Sequence, residues 1–533
     1  MRKEQQFPLE EVMRGGRLCR AYAMPFQNIY DTLKVTAERY PDKVGIIDAN
    51  GQITYADLRK RTDDLAAYLH HELGVGAGSR VAMMMVNSID FCVVLYAVLK
   101  LGATVVSVNT KCSRDEIRFV LDNSQASCLI LDDRWYGRIE SALPETAVEH
   151  VIISGSSDRH TTLRQAVEQG RTLPATKTAQ DDTLTAVIMY TSGTTGRSKG
   201  AAMNHFNLLQ AMYAYAIADD MDETESTVLA VPAFHITGLN CIVTLFVFLG
   251  GLMVMTPFFE PVEVLDKMTE YRVTHFHAVA TVFIMLESAM LDRHDLSALR
   301  TALCGGGFIS RETVRRFCRK APTCSFHPVY GMTETAGAGT YFPVHCLTSD
   351  IENSCGKVEP NCQIKIVDSQ EQEVPAGVSG EICFRGAFII DSYLHGIGNE
   401  NIVDGWLHSG DVGYFDENGY LFIKDRIKDM INRGGEKVFS LAVEDAIMEF
   451  GNIKQAAVFA VDDSLYGEVP AAVVIPKPGE TVDLEKLRLY LRDRLAHYKV
   501  PVYMELREVV PTTANGKPQK YRLREEFNKK YAK

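Results

Sequence analysis

The sequence contains no long uninterrupted apolar run. Its first twenty residues, MRKEQQFPLEEVMRGGRLCR, lack the apolar core of a secretory signal peptide. No stretch reaches the roughly 18 uncharged apolar residues that a membrane-spanning helix needs. The most apolar segment, residues 239–259, is interrupted by Asn240, Thr244 and a pair of glycines. This segment predicts a buried helix followed by a strand, and we expect no transmembrane segment.

The sequence also lacks an excess of positive charge and closely spaced cysteines. Its 56 lysines and arginines are outnumbered by 68 aspartates and glutamates, which gives a formal net charge of −12. Such a chain has no general attraction for nucleic acids or anionic membranes, so any polyanion must bind at a local site. The twelve cysteines form no Cys-x-x-Cys pair, which predicts reduced thiols in a cytoplasmic protein.

The order of strands and helices predicts an α/β fold with more than one domain. Short runs rich in β-branched residues alternate with helical patterns, which indicates largely parallel sheets with flanking helices. From about residue 356 the strands shorten and turns multiply, which indicates a distorted antiparallel β unit. A compact α+β pattern follows, and 533 residues exceed what one hydrophobic core usually supports. We therefore place the domains at residues 1–427 and 428–533.

The segment YTSGTTGRSKGA, residues 190–201, is too rich in glycine and hydroxyl groups to form part of a core. It follows the apolar run TAVIMY, which predicts a buried strand, and open α/β sheets bind ligands beyond the carboxyl ends of their strands. Backbone N–H groups, hydroxyl donors and a lysine together suit a polyphosphate. The segment is not a Walker A loop, because Arg197 follows Gly196 and Gly200 follows Lys199. A solvated glycine and threonine linker is the alternative interpretation.

Four motifs, taken in order, resemble the signature set of the adenylate-forming enzymes. They are TSGTTGRSKG at residues 191–200, YGMTET at residues 330–335, the segment 405–438, and NGKPQK at residues 515–520. This family contains the acyl-CoA synthetases, firefly-type luciferases and nonribosomal peptide adenylation domains, and the resemblance covers nearly the whole chain. It implies a large N-terminal domain of parallel and mixed sheets with a distorted β-barrel. A small mobile α+β domain, with a hinge at Lys428, would follow.

The resemblance implies that the protein activates a carboxylic acid with ATP. The carboxylate would attack the ATP α-phosphate to give an acyl-adenylate and pyrophosphate, which requires positioning and charge neutralisation. Glu334 and Thr191 would bind Mg²⁺, a hard cation that prefers oxygen ligands. The first motif would hold the β- and γ-phosphates through Thr191, Ser192, Gly193, Thr194, Thr195, Gly196 and Lys199.

The resemblance also assigns the nucleoside contacts. Tyr330 would lie against the adenine, opposite the glycine turn of CGGGFIS, where a flat base can approach the backbone. Asp411 would accept hydrogen bonds from the ribose hydroxyls, and Arg426 would reach the same sugar. The other residues implied in nucleotide binding are Gly305, Gly306, Gly307, Gly331, Met332 and Thr333.

Two half-reactions are implied, with CoA as the second co-substrate. Lys517 would contact the carboxylate and a ribose oxygen and would be the electrostatic catalyst of the first half-reaction. The small domain would then rotate about Lys428, so that the thiol of CoA reaches the same adenylate. Gly434 and Gly435 would line the path of the thiol, because a backbone without side chains leaves a narrow tunnel. A β-turn is the structural interpretation of this glycine pair.

The acyl site would begin at His235, whose segment PAFHITGL resembles the family's histidine-bearing segment. Apolar or small walls favour a medium-chain fatty acid or an aromatic acid. The sequence departs from the family pattern at Ser440 and Ala442, where many relatives carry proline and glutamate, and at Ala280, which replaces a common proline. None of these departures removes a catalytic group. The candidate walls of the acyl site are Ile236, Leu239, residues 279–281, residues 305–307 and Met332.

The leading hypothesis is an AMP-forming acid–CoA ligase that uses ATP, Mg²⁺ and CoA on a small carboxylic acid, with a homodimer as a candidate assembly. A stand-alone adenylating enzyme that loads a carrier protein is the nearest alternative. A catalytically silent nucleotide-binding relative is the other alternative. Such a relative would lack the catalytic lysine or the magnesium carboxylate, whereas the sequence retains Lys199, Glu334, Asp411, Arg426 and Lys517.

Overall fold

A computed structural model describes residues 7–192, 198–307, 309–512 and 518–532 of the chain. The chain divides into two compact units. The first comprises Met1–Ile364 and Phe384–Leu407, and the second comprises Lys365–Cys383 and His408–Lys533. The chain passes between the units within the strands Cys362–Val367, Gly380–Gly386 and Trp406–Phe415. The hinge at Lys428 and the boundary at that residue stay predictions.

The first unit contains a large mixed sheet that carries the glycine-rich segment. Its central strands run parallel, and the last two pairings toward Ser392–Tyr393 are antiparallel. In spatial order the strands are Ser392–Tyr393, Ser198–Asn204, Thr185–Ser192, Thr104–Ser107, Arg80–Met84, Cys128–Asp132, His150–Ser154 and Thr161–Thr162.

The first unit contains several further strand pairings and sheets. A hairpin near the N-terminus is formed by Leu9–Arg14 and Arg17–Tyr22, and another pairing joins Ile402–Val403 to the start of Trp406–Phe415. A mixed sheet contains Ser226–Leu229, Leu252–Met255, Val44–Asp48 and Gly51–Thr54. A second mixed sheet contains His275–Val279, Thr301–Gly305, Ser325–Gly331, Gly339–Tyr341 and Lys357–Val358.

Helices pack on these sheets and connect their parallel strands. The α-helices of the first unit are Ile29–Arg39, Tyr55–His71, Ile89–Lys100, Arg114–Ser124, Asp133–Ile139, Leu163–Gly170, His205–Ala218, Ile236–Gly238, Leu245–Leu249, Pro261–Glu270, Ala280–Ala289 and Arg311–Lys320. Short 3₁₀ helices are Glu140–Glu145, Thr333–Thr335, Cys346–Thr348, Leu394–Gly396 and Asn399–Asn401.

The helix Ile89–Lys100 shows why the sequence adopts this architecture. Ser88 caps its N-terminus by accepting a hydrogen bond from the Phe91 N–H, which satisfies one of the free donors of the first turn. Nearly every side chain of the helix is buried, as its continuous apolar sequence requires, and the helix contacts strands of two different sheets. The predicted α/β class is confirmed.

The most apolar segment of the sequence forms a buried helix and then a strand, as predicted. Residues Leu239–Thr244 form a π-helical turn, which continues into Leu245–Leu249, and the strand Leu252–Met255 follows. Gly250 ends the helix at a φ of +76°, a conformation that favours glycine. In the part of the chain that the structure describes, no helix is both long enough and apolar enough to cross a membrane.

The second unit is an α+β domain whose strands pair mostly antiparallel, with one parallel pairing. The strand Leu421–Arg426 pairs with residues 411–415 of Trp406–Phe415, with a bulge between Val412 and Gly413. The sheet of its C-terminal part contains, in order, Glu436–Val438, Ile431–Arg433, Gly467–Pro476 and Ile453–Asp463, and Tyr503–Leu506 also pairs with Gly467–Pro476. Its helices are Ser440–Glu449, Leu484–Arg492 and Lys520–Tyr531, with a 3₁₀ turn at His497–Lys499.

A buried carboxyl group in the first unit is protonated at neutral pH. Glu359 follows the strand Lys357–Val358, and burial raises its pKa to about 8, with a further contribution from Asp219. Asp219 itself accepts a hydrogen bond from the Tyr341 hydroxyl and lies 3.4 Å from Nε2 of His275. The unfolded chain loses the Glu359 proton near pH 4.5, the ordinary pKa of a glutamate, whereas the folded chain keeps it to about pH 8.

We therefore expect the stability of the protein to fall as the pH rises from 4.5 to about 8, because the unfolded state releases a proton that the folded state retains. Glu359→Gln replaces the carboxyl by an amide that cannot ionise, so its stability should vary less over this range. Thermal unfolding followed by circular dichroism tests this, with the exposed Glu417→Gln as the control. Equal pH dependence in the wild type and Glu359→Gln would contradict the prediction.

Candidate functional site

The glycine-rich segment begins and ends on two adjacent strands of the large sheet. Thr191, at the end of Thr185–Ser192, lies directly opposite Lys199 of Ser198–Asn204 in the antiparallel register. The segment therefore leaves the sheet as a hairpin connection, at the carboxyl end of a strand whose other neighbour is parallel. The side chain of Ser192 and residues Gly193, Thr194, Thr195 and Gly196, which the sequence predicts as phosphate ligands, lie outside the described part of the chain.

The candidate magnesium ligand Glu334 is held by two hydroxyl groups. It lies in the 3₁₀ helix Thr333–Thr335, and 5% of its surface is exposed. Its Oε1 accepts hydrogen bonds of 3.1 Å from the Thr191 hydroxyl and 3.1 Å from the Tyr393 hydroxyl. Burial and the Glu334 carboxylate both raise the pKa of Tyr393, which therefore stays a donor. The structure thus brings together the two predicted ligands, Thr191 and Glu334, and adds Tyr393.

The oxygen-rich environment of Glu334 fits a hard divalent cation. A carboxylate and a threonine hydroxyl are the donor types that Mg²⁺ binds, usually together with water and substrate phosphates. Thr191 and Glu334 would hold the ion, and Tyr393 would orient the carboxylate. When bound, the ion would neutralise charge on phosphate oxygens.

Lys199 is buried and already forms an ion pair. Its ammonium lies 2.9 Å from Oε1 of Glu400, and only 5% of the lysine side chain is exposed, against 65% of the glutamate. This hydrogen bond from Lys199 lowers the pKa of Glu400. A side chain on Gly398 would lie 2.8 Å from the Lys199 Cδ, so the glycine lets the backbone approach the lysine stem. The sequence indicated Lys199, but nothing in it indicated Glu400, which lies 201 residues away.

The residues predicted to contact the adenine lie at the ends of parallel strands. Thr301–Gly305 and Ser325–Gly331 pair in parallel, so Gly305 and Tyr330 end adjacent strands at the same edge of their sheet. Gly306 and Gly307 are exposed there, and Gly306 has a φ of +70°. The ring of Tyr330 is largely buried and lies 5.5 Å from that of Phe384. The glycines therefore leave the backbone free of side chains at the sheet edge where the strand of Tyr330 also ends.

The turn after Tyr330 requires glycine at its first position. A Cβ on Gly331 would lie 2.4 Å from the carbonyl oxygen of Gly337, because residues 332–338 fold back over this point. Met332 N–H donates to the Thr335 hydroxyl, which fixes the turn that carries Glu334. Met332 and Thr333, both predicted to contact the nucleotide, are half-buried on this turn.

The histidine segment is positioned by buried polar contacts. Asn87 donates to the carbonyl oxygens of Leu229 and Val231 and accepts from the Ala233 N–H, while the Ser107 hydroxyl donates to the carbonyl oxygen of Phe234. These bonds fix the chain just before His235, which is half-buried.

The helix after His235 packs against the turn that carries Glu334. Asn240 donates to the carbonyl oxygen of Ala336 at 3.0 Å, which joins the two segments. The residues predicted to line the acyl site differ in solvent exposure. Ile236, Leu239 and Ala280 are buried, whereas Thr281 is exposed.

In the second unit, Asp411 and Arg426 face each other across an antiparallel pair. They are register partners on Trp406–Phe415 and Leu421–Arg426, and Nε of Arg426 lies 3.2 Å from Oδ1 of Asp411. Asp411 is 7% exposed. The sequence predicts that both reach one ribose, and the structure places them together.

The predicted hinge and glycine pair lie in turns of the second unit. Lys428 is exposed, and the turn around it is closed by the bonds of the Asp429 and Met430 N–H groups to the carbonyl oxygen of Arg426. Gly434 and Gly435 connect Ile431–Arg433 to Glu436–Val438 with φ values of +61° and +94°. The β-turn interpretation of the glycine pair is confirmed, and its role beside the thiol stays a prediction.

The predicted catalyst Lys517 lies outside the described residues, but the chain just after it is firmly anchored. The Lys520 side chain is 12% exposed, and its ammonium lies 2.8 Å from Oε1 of Glu444 and donates to the Ser440 hydroxyl at 2.7 Å. Burial by itself lowers the pKa of Lys520, but the nearby carboxylates, above all Glu444, outweigh burial and raise it.

The departure at Ser440 has a structural explanation. Its hydroxyl donates to Oδ1 of Asp425 at 3.0 Å and accepts from Lys520, and its N–H donates to the same aspartate. Proline at this position would remove both donors. Sequence reasoning missed Lys520 and Asp425 as partners of Ser440, because 80 and 15 residues respectively separate them from it.

Two family models and several known proteins match most of this chain. The family model described as AMP-binding enzyme matches residues 33–394, and the model described as AMP-binding enzyme C-terminal domain matches residues 442–517. A feruloyl-CoA synthase of Amycolatopsis sp is 32% identical over 92% of this chain and 97% of its own. A long-chain-fatty-acid–CoA ligase of Escherichia coli O6:H1 is 29% identical over 94% of this chain and 95% of its own.

A solved structure of similar fold contains a nucleotide and a metal. It is the o-succinylbenzoate coenzyme A synthetase of Bacillus subtilis in complex with ATP and magnesium ion, with a TM-score of 0.81 and 27% identity. The similarity covers 92% of this chain and 98% of that chain.

Removing the Tyr393 hydroxyl should weaken Mg²⁺ binding. Tyr393→Phe leaves Glu334 without one of the donors that orient it, and the loss of such an outer partner typically costs about 10- to 100-fold in metal affinity. Calorimetric titration of ATP at graded Mg²⁺ concentrations measures the effect. Tyr190→Phe is the matched control, because the Tyr190 hydroxyl donates to Asn123 instead. Equal Mg²⁺ requirements in the two variants would contradict the assignment.

Proposed function

The chain belongs to the family of AMP-binding enzymes and is an AMP-forming acid–CoA ligase, and we propose that its acid substrate is a medium-chain fatty or an aromatic carboxylic acid. ATP and CoA are its co-substrates, and Mg²⁺ is its metal ion. Two observations support the acid class. The residues expected beside the acid include the buried apolar Ile236, Leu239 and Ala280. The similar enzymes include one named for a long-chain fatty acid and one for feruloyl-CoA.

One observation carries the proposal of adenylation at this site. A buried carboxylate, Glu334, and a buried ammonium, Lys199, flank the two ends of the same glycine-rich connection, because Thr191 bonds to Glu334 and is the register partner of Lys199. A polyphosphate with its divalent cation needs both a metal carboxylate and a cationic side chain.

In the proposed first half-reaction, the carboxylate of the acid attacks the α-phosphorus of ATP, and pyrophosphate leaves. Lys199 would exchange Glu400 for the β- and γ-phosphate oxygens, so that a charge-assisted hydrogen bond is replaced by another of the same kind. Glu334 and Thr191 would hold Mg²⁺, and Lys517 would neutralise the negative charge between the attacking carboxylate and the phosphate. Asp411 and Arg426 would fix the ribose.

In the proposed second half-reaction, the CoA thiol loses its proton and attacks the carbonyl carbon of the acyl-adenylate, and AMP leaves. Gly434 and Gly435 would line the path of the thiol, because a backbone without side chains leaves room for it. Both residues have a positive φ, a conformation that is unfavourable for residues with a side chain. Ser440 and its partners Asp425 and Lys520 would keep this part of the second unit rigid.

Loss of Lys517 should suppress adenylation selectively. Lys517→Ala removes the charge that stabilises the first transition state, and loss of one such group costs about 10²- to 10³-fold in kcat. Thioester formation from supplied acyl-adenylate should stay near the wild-type rate. Stopped-flow assays of each half-reaction measure both, with the exposed Lys529→Ala as the control. An equal loss in both half-reactions would contradict the assigned role.

Lys199→Ala should also impair the first half-reaction, but through the nucleotide. Because Lys199 would contact the phosphates, the KM for ATP should rise together with the fall in pyrophosphate release, whereas Lys517→Ala should mainly lower kcat. Thioester formation from supplied acyl-adenylate should persist in both variants. An unchanged KM for ATP in Lys199→Ala would show that Lys199 does not bind the phosphates.

A panel of carboxylic acids tests the proposed substrate class. Pyrophosphate release is measured with fatty acids of graded length and with substituted benzoic and cinnamic acids, each with free CoA, with a pantetheinylated carrier protein, or with no acceptor. We expect medium-chain or aromatic acids to give the highest kcat/KM, and free CoA to yield the thioester. Preference for small hydrophilic acids would reject the proposed class, and transfer to the carrier alone would favour the carrier-loading alternative.

A further inference from the structure

Three side chains capable of binding a metal converge in the second unit, and the proposed reaction uses none of them. Glu381 and Cys383 lie two residues apart on Gly380–Gly386, so they point to the same face of that strand, and His408 lies on Trp406–Phe415. Nδ1 of His408 is 2.9 Å from Oε2 of Glu381 and 3.5 Å from Sγ of Cys383. One ligand atom of each residue lies within 4.8 Å of the other two.

The separation of the sulfur and nitrogen atoms matches that around a tetrahedral metal. With zinc bonds of about 2.3 Å to sulfur and about 2.0–2.1 Å to nitrogen, two tetrahedral ligand atoms lie about 3.5 Å apart. The Cys383 and His408 atoms already have this spacing, at 3.5 Å. The Glu381 and His408 atoms, at 2.9 Å, would need to separate by about 0.5 Å, which a small rotation of the carboxylate supplies.

The outer environment of His408 is also that of a metal-bound histidine. A histidine that binds a metal through one ring nitrogen usually donates the other N–H to a carboxylate or carbonyl oxygen, which fixes its tautomer. Nε2 of His408 lies 3.4 Å from Oε2 of Glu371, on the side of the ring away from Cys383. Glu371 would therefore orient the ring without binding the ion.

The carboxylate is held in a matching way. Oε1 of Glu381 accepts a hydrogen bond of 3.0 Å from the Gly410 N–H, which leaves Oε2 directed toward His408. A single carboxylate oxygen is thus available to a metal while the other stays bonded to the backbone. The Cys383 side chain is fully buried, and His408 and Glu381 are partly exposed, so a water molecule could complete a fourth position from the solvent side.

We propose that Glu381, Cys383 and His408 form a binding site for a single Zn²⁺ ion, with Glu371 as the outer partner of the histidine. Thiolate and imidazole ligands select zinc over Mg²⁺ and Ca²⁺, which prefer oxygen. On binding, the Cys383 thiol releases its proton to solvent, and the zinc–sulfur bond replaces the S–H bond. Nδ1 of His408 gives up the proton that it donates to Glu381, and the neutral ring keeps its N–H at Nε2, toward Glu371. One thiolate and one carboxylate balance the two charges of the ion, so the loaded site is neutral.

The site is tested with purified full-length protein and free Zn²⁺ or Co²⁺, in the absence of ATP, acid and CoA, so its outcome does not depend on the proposed reaction. Zn²⁺ affinity is measured by competition with a coloured chelator. Co²⁺ serves as the spectroscopic probe, because a cobalt–thiolate bond gives a near-ultraviolet charge-transfer band. We expect one high-affinity ion per chain, the charge-transfer band, and a higher unfolding temperature with Zn²⁺.

Variants separate this site from other thiols and from loss of folding. Cys383→Ser should abolish the band and the high-affinity ion, whereas the matched control Cys112→Ser, at a half-buried cysteine elsewhere in the chain, should retain both. Glu371→Gln alters an exposed side chain, so folding is preserved, and should weaken Zn²⁺ binding about 10- to 100-fold. Zn²⁺ affinity unchanged in Cys383→Ser, or a wild-type cobalt complex without the band, would overturn the proposal.

Discussion

Burial of charged side chains at the proposed nucleotide site requires a partner for each of them, and the contacts of Lys199 and Glu334 follow from that constraint. An ion removed from water without a partner costs several kcal/mol. The structure meets the constraint with partners that a nucleotide would replace or share in the proposed reaction. The buried Lys199 pairs with the exposed Glu400, and the buried Glu334 accepts hydrogen bonds from two hydroxyl groups. Because Glu400 is exposed, water can solvate its carboxylate when Lys199 no longer pairs with it.

Charged side chains of the second unit also have partners. Asp411 faces Arg426 across a strand pair, and the half-buried Lys520 is joined to Glu444 and Ser440. Burial raises the pKa of Glu444, and the Lys520 ammonium beside it opposes that rise. Because Lys520 follows Lys517 by three residues in the sequence, this network fixes one end of the segment that carries the proposed catalyst.

Backbone geometry determines where these side chains lie. Parallel strands end at one edge of a sheet, and this places Gly305 beside the strand that ends in Tyr330 and Gly331. At Gly331 a side chain would collide with the carbonyl oxygen of Gly337, so the turn that carries Glu334 can form only with glycine there. The position of Glu334, the proposed magnesium ligand, therefore depends on a residue that has no functional group.

The sequence by itself determined the α/β class, the buried helix and strand of residues 239–259, the motif residues and the family they resemble. These features are local: periodicity, turn chemistry and short motifs can be read within a few residues. Tyr393, Glu400 and Asp425 could not be predicted, because each is an ordinary residue whose role arises from a partner distant in the chain. Tyr393 acts on Glu334, 59 residues before it, and Glu400 on Lys199, 201 residues before it. Only the tertiary structure decided these pairings, since packing of the strands, and not local propensity, brings such groups within hydrogen-bonding distance.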